Sequence, residues 1–547
     1  MIKRLLNNSI LNSKPTESVV AAAFMISVAG IASRLLGLFR DRILASQFGA
    51  GDALDVYYAA FRIPDLVYNL LVLGALSSAF IPVFTGLFVN KKEDESWELA
   101  SGILSLKIIF LLLISAVLLI FSPAIMKIIT PGFSSEKINE TIMFSRIMFI
   151  STFFLGISAL FGGILVSMKK FLIYAIAPIL YNIGIIIGAV FFVKFMGPIG
   201  LAWGVVLGAF MHMLIQYPAV RISGFRYKPV FFKAFWNKNV MKVIHLMIPR
   251  TMGIAVNQIN LFVITIFAST LAAGSLTVFN FANNIQGAPL GLFGASFAIA
   301  VFPTLSAFAS KNMKDDFARS FSKTMRHILF FIIPISVFFL IFRAQIVRVI
   351  LGAGKFDWED TQNTFSILGI LVLSLFAQGL IPLLTRSFYA LHDTKTPFFV
   401  ALIGEAINIL LVIFLIDKFK VVGLAIAFAV ATVVHMFILL TVLRSKFDSL
   451  DDKNIVISVF KISLASFAAG IVAQLFKYIS VRFIPLDTFL GVFFQLALSG
   501  IIGIIIFILM SYLLKIKEFH YFKDSFRRKF LRFGEKIAED NTEIGGV

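Results

Sequence analysis

Residues 108–126 read Ile-Ile-Phe-Leu-Leu-Leu-Ile-Ser-Ala-Val-Leu-Leu-Ile-Phe-Ser-Pro-Ala-Ile-Met, without one charge. As a helix rising ~1.5 Å per residue, this run is about 28 Å long. That nearly matches the ~30 Å of hydrocarbon in a bilayer. Similar runs recur throughout the chain and place spans at about 18–38, 56–87, 99–128, 140–167, 171–194, 198–221, 240–270, 276–309, 327–352, 363–390, 397–417, 421–443, 457–480 and 489–515. The expected fold class is an all-α integral membrane protein of about 14 transmembrane helices.

Composition agrees. Of 547 residues, 59% are hydrophobic and 14% charged, and mean hydropathy is +0.94. Soluble domains are about half apolar and about a quarter charged. The 63 phenylalanines read as lipid-facing and interhelical packing. There is no cysteine, which excludes disulfides and thiolate metal sites. No HExxH, phosphate-binding loop, GxSxG or dinucleotide fingerprint is present. No enzyme, metal or cofactor is expected. The segment around Lys3, Arg4 and Lys14 has no short apolar region with a small-residue cleavage site, so no removable signal peptide is expected.

The net charge of +20 does not indicate nucleic acid, because of where it lies. Lysine and arginine fill alternate loops: Lys91 and Lys92; Lys169 and Lys170; Arg221 to Lys238; Lys311 to Lys323; Lys395; Arg444 to Lys453; and the tail from Lys515. The intervening loops are poor, with Lys137, Lys355, Lys418, Lys420 and Arg482. The positive-inside rule then puts both termini in the cytoplasm. The basic tail suits either anionic headgroups or plain solvent.

Ile43-Leu44-Ala45-Ser46 with Ala50-Gly51 returns as Ile266-Phe267-Ala268-Ser269 with Ala273-Gly274, an offset of 223 residues. Gly200-Leu201-Ala202 with His212 returns at the same offset as Gly423-Leu424-Ala425 with His435. Asn182 and Asn408 match at an offset of 226. Six spans separate the copies, so the halves share one orientation. Parallel-repeat transporters place substrate between their halves. The expected organisation is a cytoplasmic amino terminus 1–17, a six-helix lobe 18–222, a basic linker 223–239, a second lobe 240–445, two further helices in 446–515 and a basic tail 516–547.

Charge inside a membrane costs about 2.5 kcal/mol or more and usually marks function. It concentrates in the first two spans, as Arg34, Arg40, Asp41, Arg42, Asp52, Asp55, Arg62 and Asp65. Arginine stays charged and donates paired hydrogen bonds that fit a phosphate. The cluster therefore suggests an anionic headgroup, with local pairing to Asp41, Asp55 and Asp65 as the structural alternative. That alternative is favoured for Arg42 and Asp52. Spans seven and eight hold only amides, Asn257, Gln258, Asn260, Asn280, Asn283, Asn284 and Gln286, which suit either a neutral cavity wall or interhelical hydrogen bonding. Glu405 reads as a site for a coupling ion or proton, or as a structural acid. Gly37, Pro64 and Pro289 suit either bends or packing.

Ser33-Arg34-Leu35-Leu36-Gly37, Arg40-Asp41, Phe48-Gly49-Ala50-Gly51, Asp55, Phe61-Arg62-Ile63-Pro64 and Gly74-Ala75 resemble the amino-terminal signature of MurJ/MviN-type lipid II flippases. So do Pro131-Gly132-Phe133, Ala177-Pro178 with Asn182, Gln258-Ile259-Asn260, Pro289-Leu290-Gly291, and Phe388-Tyr389-Ala390-Leu391 with Asp393-Thr394 and Thr396-Pro397. The resemblance covers roughly residues 20–445. It implies the multidrug/oligosaccharidyl-lipid/polysaccharide exporter fold: two pseudo-symmetric six-helix lobes around a central cavity, plus two C-terminal helices grooved for a polyprenyl tail. It implies lipid II, linked to undecaprenyl pyrophosphate, as substrate, and alternating access coupled to Na+, H+ or membrane potential. It further implies the bacterial cytoplasmic membrane, membrane lipids as surroundings, and cell-wall synthesis proteins as partners.

The substrate-binding set on this reading is Arg34, Arg40, Asp41, Asp55, Arg62, Asp65 and Asn284, with Glu405 and Asn408 as ion-coupling candidates. Asn284 stands where the family has arginine. The chain also departs at Tyr68 and Asn69, where arginine is usual, and at Leu73 and Ile264, where an acid is usual. A flippase for another polyprenyl-linked glycan would use the same arginines. A multidrug or cation antiporter of this fold would want cavity carboxylates and about twelve helices. A non-transporting scaffold would be indifferent to loss of Arg40.

Overall fold

The computed structural model describes residues 19–70 and 79–524, and all regular structure among them is helical. Leu73, Gly74, Ala75, the side chain of Asn257 and most of both charged termini lie outside the described residues.

The main helices are α1 (Val19–Phe48), α2 (Asp52–Ala60), α3 (Arg62–Tyr68), α4 (Ile81–Val89), α5 (Glu93–Ile129), α6 (Ser135–Ser167), α7 (Phe171–Ile187), α8 (Gly200–Ile222) and α9 (Lys238–Ser269). They continue as α10 (Ser275–Pro289), α11 (Ser296–Ser310), α12 (Lys314–Leu351), α13 (Trp358–Leu373), α14 (Leu375–Ala390), α15 (Lys395–Arg444), α16 (Asp452–Ser480) and α17 (Phe489–Leu513).

Among the described residues, eight helical stretches are long and apolar enough to cross a membrane, and the pair α13–α14, bent by 46°, makes a ninth. Two of the eight, Phe171–Ile222 and Lys395–Arg444, run to 52 and 50 residues. As helix each would reach about 75 Å, more than twice a hydrocarbon layer. Each is interrupted where two expected spans meet: the first by a 3-10 turn at Gly197–Ile199, the second at Lys420, whose φ is 52°. Within the expected span 56–87 the helix is assigned in two pieces that meet at Phe61, whose own dihedrals stay helical at φ −69° and ψ −24°. Pro64 has no N–H to donate one turn back, and α2 gives way to α3 at Phe61. Pro289 stands where α10 passes into a wide π-helical turn, Leu290–Ala295. Gly37 does not interrupt α1, which runs through it.

The chain forms two compact units. The first comprises residues 1–281, 350–363 and 412–424; the second 282–349, 364–411 and 425–547. In the first, α6, α7 and α8 form the tightest bundle, and α7 meets α8 on glycine. A Cβ on Gly184 would strike Gly208, and one on Gly188 would strike Gly204. This is small-xxx-small packing, in which missing side chains let backbones touch. We expect Gly204→Leu to cost ~3 kcal/mol, the upper end for overpacking, because a backbone must retreat. A lower melting temperature of the purified protein, alongside an unchanged Gly86→Leu control in open space, checks this.

In the second unit α12 is the organiser. One face packs Phe317, Phe321 and Ile328 against Leu380, Leu383 and Phe388 of α14. Phe330 meets Ile462, Ala465 and Ala469 of α16 and Phe507 of α17. At its Lys314 end, Arg326 pairs with Glu518 at 2.7 Å, and Ser458 donates to the same carboxylate at 2.8 Å.

The Asp393-Thr394 motif is structural. Asp393 accepts from the Thr396 amide and hydroxyl at the start of α15 and from Lys446. Partial burial opposes its ionisation. The bonds from Lys446 and Thr396 outweigh that and hold its carboxyl at about 2.

Outward-facing apolar side chains are plentiful, among them Leu113, Ile120, Phe460, Phe467 and Phe483. For a chain whose solvent is hydrocarbon, this is the ordinary surface.

Candidate functional site

The first unit brings together most of the charges of the first two spans, and it treats them unequally. Arg40, on α1, is neutralised. Its Nε and Nη2 donate to one oxygen of buried Asp41 at 3.0 and 2.8 Å, and its Nη1 donates to Asn182 Oδ1 of α7 at 3.1 Å. Asn182 in turn donates to the Ser33 and Pro178 carbonyls. Arg40→Ala would strand a buried carboxylate, which costs about 3–5 kcal/mol. We therefore expect loss of folded protein from that variant, and recovery in Arg40→Gln with Asp41→Asn. The yield of monodisperse protein checks this.

Arg62 is different. It is buried, with 6% of its surface exposed. Its Nε donates to Thr265 Oγ1 of α9 at 2.6 Å and its Nη2 to Asn280 Oδ1 of α10 at 3.1 Å. Both partners are neutral, and no carboxylate pairs with Arg62 among the described residues. Asp65, expected as a local partner, forms no ion pair among the described residues. One turn before Arg62, the Tyr58 hydroxyl is buried without a hydrogen-bond partner. The Tyr58 ring is fixed edge-on to Tyr57 and Phe281. A fixed cation and an unused hydroxyl donor one turn apart suit an anion with several oxygens.

Asp55 is not an arginine partner, contrary to expectation. It sits against the first turn of α10. It accepts from the Gly274 amide at 2.8 Å, the Thr277 amide at 2.9 Å and the Thr277 hydroxyl at 2.7 Å, and Lys137 adds an ion pair at 3.3 Å. A carboxylate there satisfies orphan helix amides and faces the positive end of the dipole. Gly274 has φ 87°, and a Cβ on it would run into the Ala50 carbonyl. Asp360 accepts from the Ala50 amide, and the Lys355 amide donates to Ser46 O. The Ser46–Asp55 stretch is thus held from two separate loops. Lys137 also pairs with Asp52, and Arg42 Nη1 reaches Ile350 O at 3.5 Å, so these contacts of the two positions reach beyond the first two helices. Arg34 lies exposed on α1.

The second unit holds Asn284, Glu405 and Asn408. Asn284 and Glu405 are half-buried. Asn408 is 1% exposed, and neither amide atom has a hydrogen-bond partner. The repeat explains the contrast with Asn182. The residues 223 positions after Arg40 and Asp41 are Val263 and Ile264, so the second half has kept the amide and lost its arginine. Ile264 is also one of the departures from the family pattern.

Sequence reasoning missed Thr265, the hydroxyl of Tyr58 and Lys137 as the carrier of Asp55. It also passed over Lys107, whose Nζ donates to Gly156 O within the α5–α6 pair at 3.1 Å. A lysine just before the run 108–126 was the available signal.

Long apolar helices with cations fixed between them define a polytopic membrane protein. A family model described as "Lipid II flippase MurJ" matches residues 44–494. A probable lipid II flippase MurJ of Buchnera aphidicola subsp. Schizaphis graminum is 28% identical over 94% of this chain and 100% of its own. One from Buchnera aphidicola subsp. Acyrthosiphon pisum is 31% identical, over 76% and 81% respectively. A solved "Lipid II flippase MurJ, inward closed conformation" is 28% identical and superposes with a TM-score of 0.74 over 90% of this chain and 98% of that one. An inward-facing multidrug transporter of the MATE family shares the fold at 14% identity, with a TM-score of 0.66 over 77% and 96%. The chain belongs to the MurJ lipid II flippase family.

Proposed function

We propose that this chain flips lipid II across the bacterial inner membrane by alternating access, its termini in the cytoplasm and its substrate headgroup entering from that side. The observation that carries this reading is Arg62, a buried guanidinium held by neutral groups beside the unused Tyr58 hydroxyl. A protein that needed this arginine only for structure would pair it with an acid, as it pairs Arg40. Arg62 engages the pyrophosphate while the prenyl chain stays in lipid. Arg34 and the Arg40–Asp41 pair line the approach on α1. The Asp55 joint closes one end of the path.

Coupling to Na+ or H+ belongs to Glu405 and Asn408. They lie one turn apart on α15, and an amide oxygen without a donor beside a carboxylate suits a small monovalent cation or a proton. Cell-wall synthesis proteins are the partners expected of such a flippase.

The test is complementation. Expressed in bacteria depleted of their own lipid II flippase, the chain should restore surface-exposed lipid II and cell shape. Membrane-inserted protein that restores neither would exclude lipid II and leave another polyprenyl-linked glycan as substrate.

A further inference from the structure

Along α12 the two ends of its contact with α16 and α17 are treated differently. At the Lys314 end, Arg326 has Glu518 as counter-charge. At the Leu351 end, Arg343 and Lys477 have none. Arg343 Nη1 donates to Leu340 O at 2.8 Å, and its guanidinium lies 5.8 Å from the centre of the Phe365 ring. Lys477 Nζ, from α16, donates to Ile341 O at 2.9 Å. Leu340 and Ile341 are consecutive, so the two cationic heads rest on neighbouring carbonyls of one helix. Neither forms an ion pair among the described residues, and neither does Arg348 or Arg482 further out. Asp487, in the loop between α16 and α17, pairs with none of them.

The surroundings are those of a bilayer boundary. Leu475, Tyr478 and Ile479 of α16 and Leu490 and Phe494 of α17 are exposed, and a tyrosine among exposed aliphatics marks the headgroup level. The stems are built in. A side chain on Gly369 would press on Arg343 Cδ at 3.0 Å. Gln495 Nε2 donates to Lys477 O at 3.1 Å, and Gln495 Oε1 accepts from Gln345 Nε2 at 3.0 Å. Two like charges side by side at an apolar boundary repel and lose hydration. An anion that sits at this depth and brings its own apolar chains removes both costs.

We infer that Arg343 and Lys477 form a site for the phosphate of a membrane lipid, whose chains lie on the exposed apolar faces of α16 and α17. The site is separate from Arg62 and does not depend on what the chain transports. The phosphate comes from a phospholipid or from a prenyl phosphate, and the experiment separates these sources.

Full-length protein would be purified in detergent and its retained lipid measured by native mass spectrometry. The probes are phosphatidylglycerol against diacylglycerol, undecaprenyl phosphate against undecaprenol, and inorganic phosphate alone. All variants carry Arg62→Gln, so that binding at the other arginine does not contribute. We expect Arg343→Gln with Lys477→Gln to lose a phosphate-bearing lipid about tenfold or more, the scale of one charge-assisted contact. The same pair should keep diacylglycerol and undecaprenol. The exchange Arg343→Lys with Lys477→Arg should retain the phosphate lipids, and Lys477→Gln alone, the milder change, should lose part of them. Whichever phosphate lipid responds names the source. Unchanged retention of both in the neutral pair, or in Lys477→Gln if that pair does not fold, overturns the site. Displacement of the lipids by inorganic phosphate at equal concentration overturns its lipid character.

Discussion

Arg62→Ala is expected to cut lipid II translocation steeply while the protein stays folded in the membrane. Folding should survive because the partners of Arg62 keep other bonds. Thr265 Oγ1 still donates to Leu261 O, and Asn280 Nδ2 to Leu276 O. No buried acid is stranded, unlike the Arg40 case. What disappears is a charged, bidentate-capable donor. Hydrogen bonds to a charged group are worth about 1.5–3 kcal/mol each, so losing one of them should reduce transport roughly 10- to 150-fold, and losing two should reduce it further. Arg62→Lys should recover little, since a point charge cannot hold Thr265, Asn280 and a phosphate together. The assay is surface-exposed lipid II at matched expression. Full transport by Arg62→Ala would remove the arginine from the mechanism.

Asp55→Ala is expected to open the joint at the start of α10. The substitution leaves the Gly274 and Thr277 amides without acceptors, at about 1–3 kcal/mol each where they stay buried, and frees Lys137 to Asp52 alone. A loss near 3 kcal/mol shifts a two-state balance by about a hundredfold. The chain has no native cysteine, so spin labels on Ala53→Cys and Ala273→Cys report this joint with no background. We expect a new, longer distance in the alanine variant and slower transport. Asp55→Asn, which keeps one acceptor oxygen, should fall between. An unchanged distance distribution would mean that Asp55 only fastens the loop.

The two predictions draw on different parts of the sequence. The spans, the charge-rich first two helices and the identity of Arg62 were legible, because hydropathy and intramembrane arginine are strong one-dimensional signals. The breaks at Gly197 and Lys420 fell where the charge-bearing ends of expected spans met. The partners were not legible. Thr265 and Asn280 lie more than 200 residues from Arg62; Asn280 stood among the amides suited to interhelical hydrogen bonding, without a partner assigned, and Thr265 had no charge to draw attention. Asp55 was assigned to an arginine because sequence offers the nearest opposite charge, whereas a helix start supplies as much positive potential without a basic residue. The repeat pointed to Asn182 and Asn408 as equivalents. In the fold Asn182 is hydrogen-bonded through both amide atoms, and Asn408 through neither.

The glycine seam between α7 and α8 has a mechanical meaning. Where two helices touch backbone to backbone, no layer of rotatable side chains remains between them to shear or compress. The pair is then a stiff strut, and motion of the first unit would be absorbed at the end where the two helices join, in the wide turn at Gly188–Phe192 and the 3-10 turn at Gly197. A stroke that starts near Arg40, which Asn182 fastens to this strut, would reach the far end of α8 almost undamped.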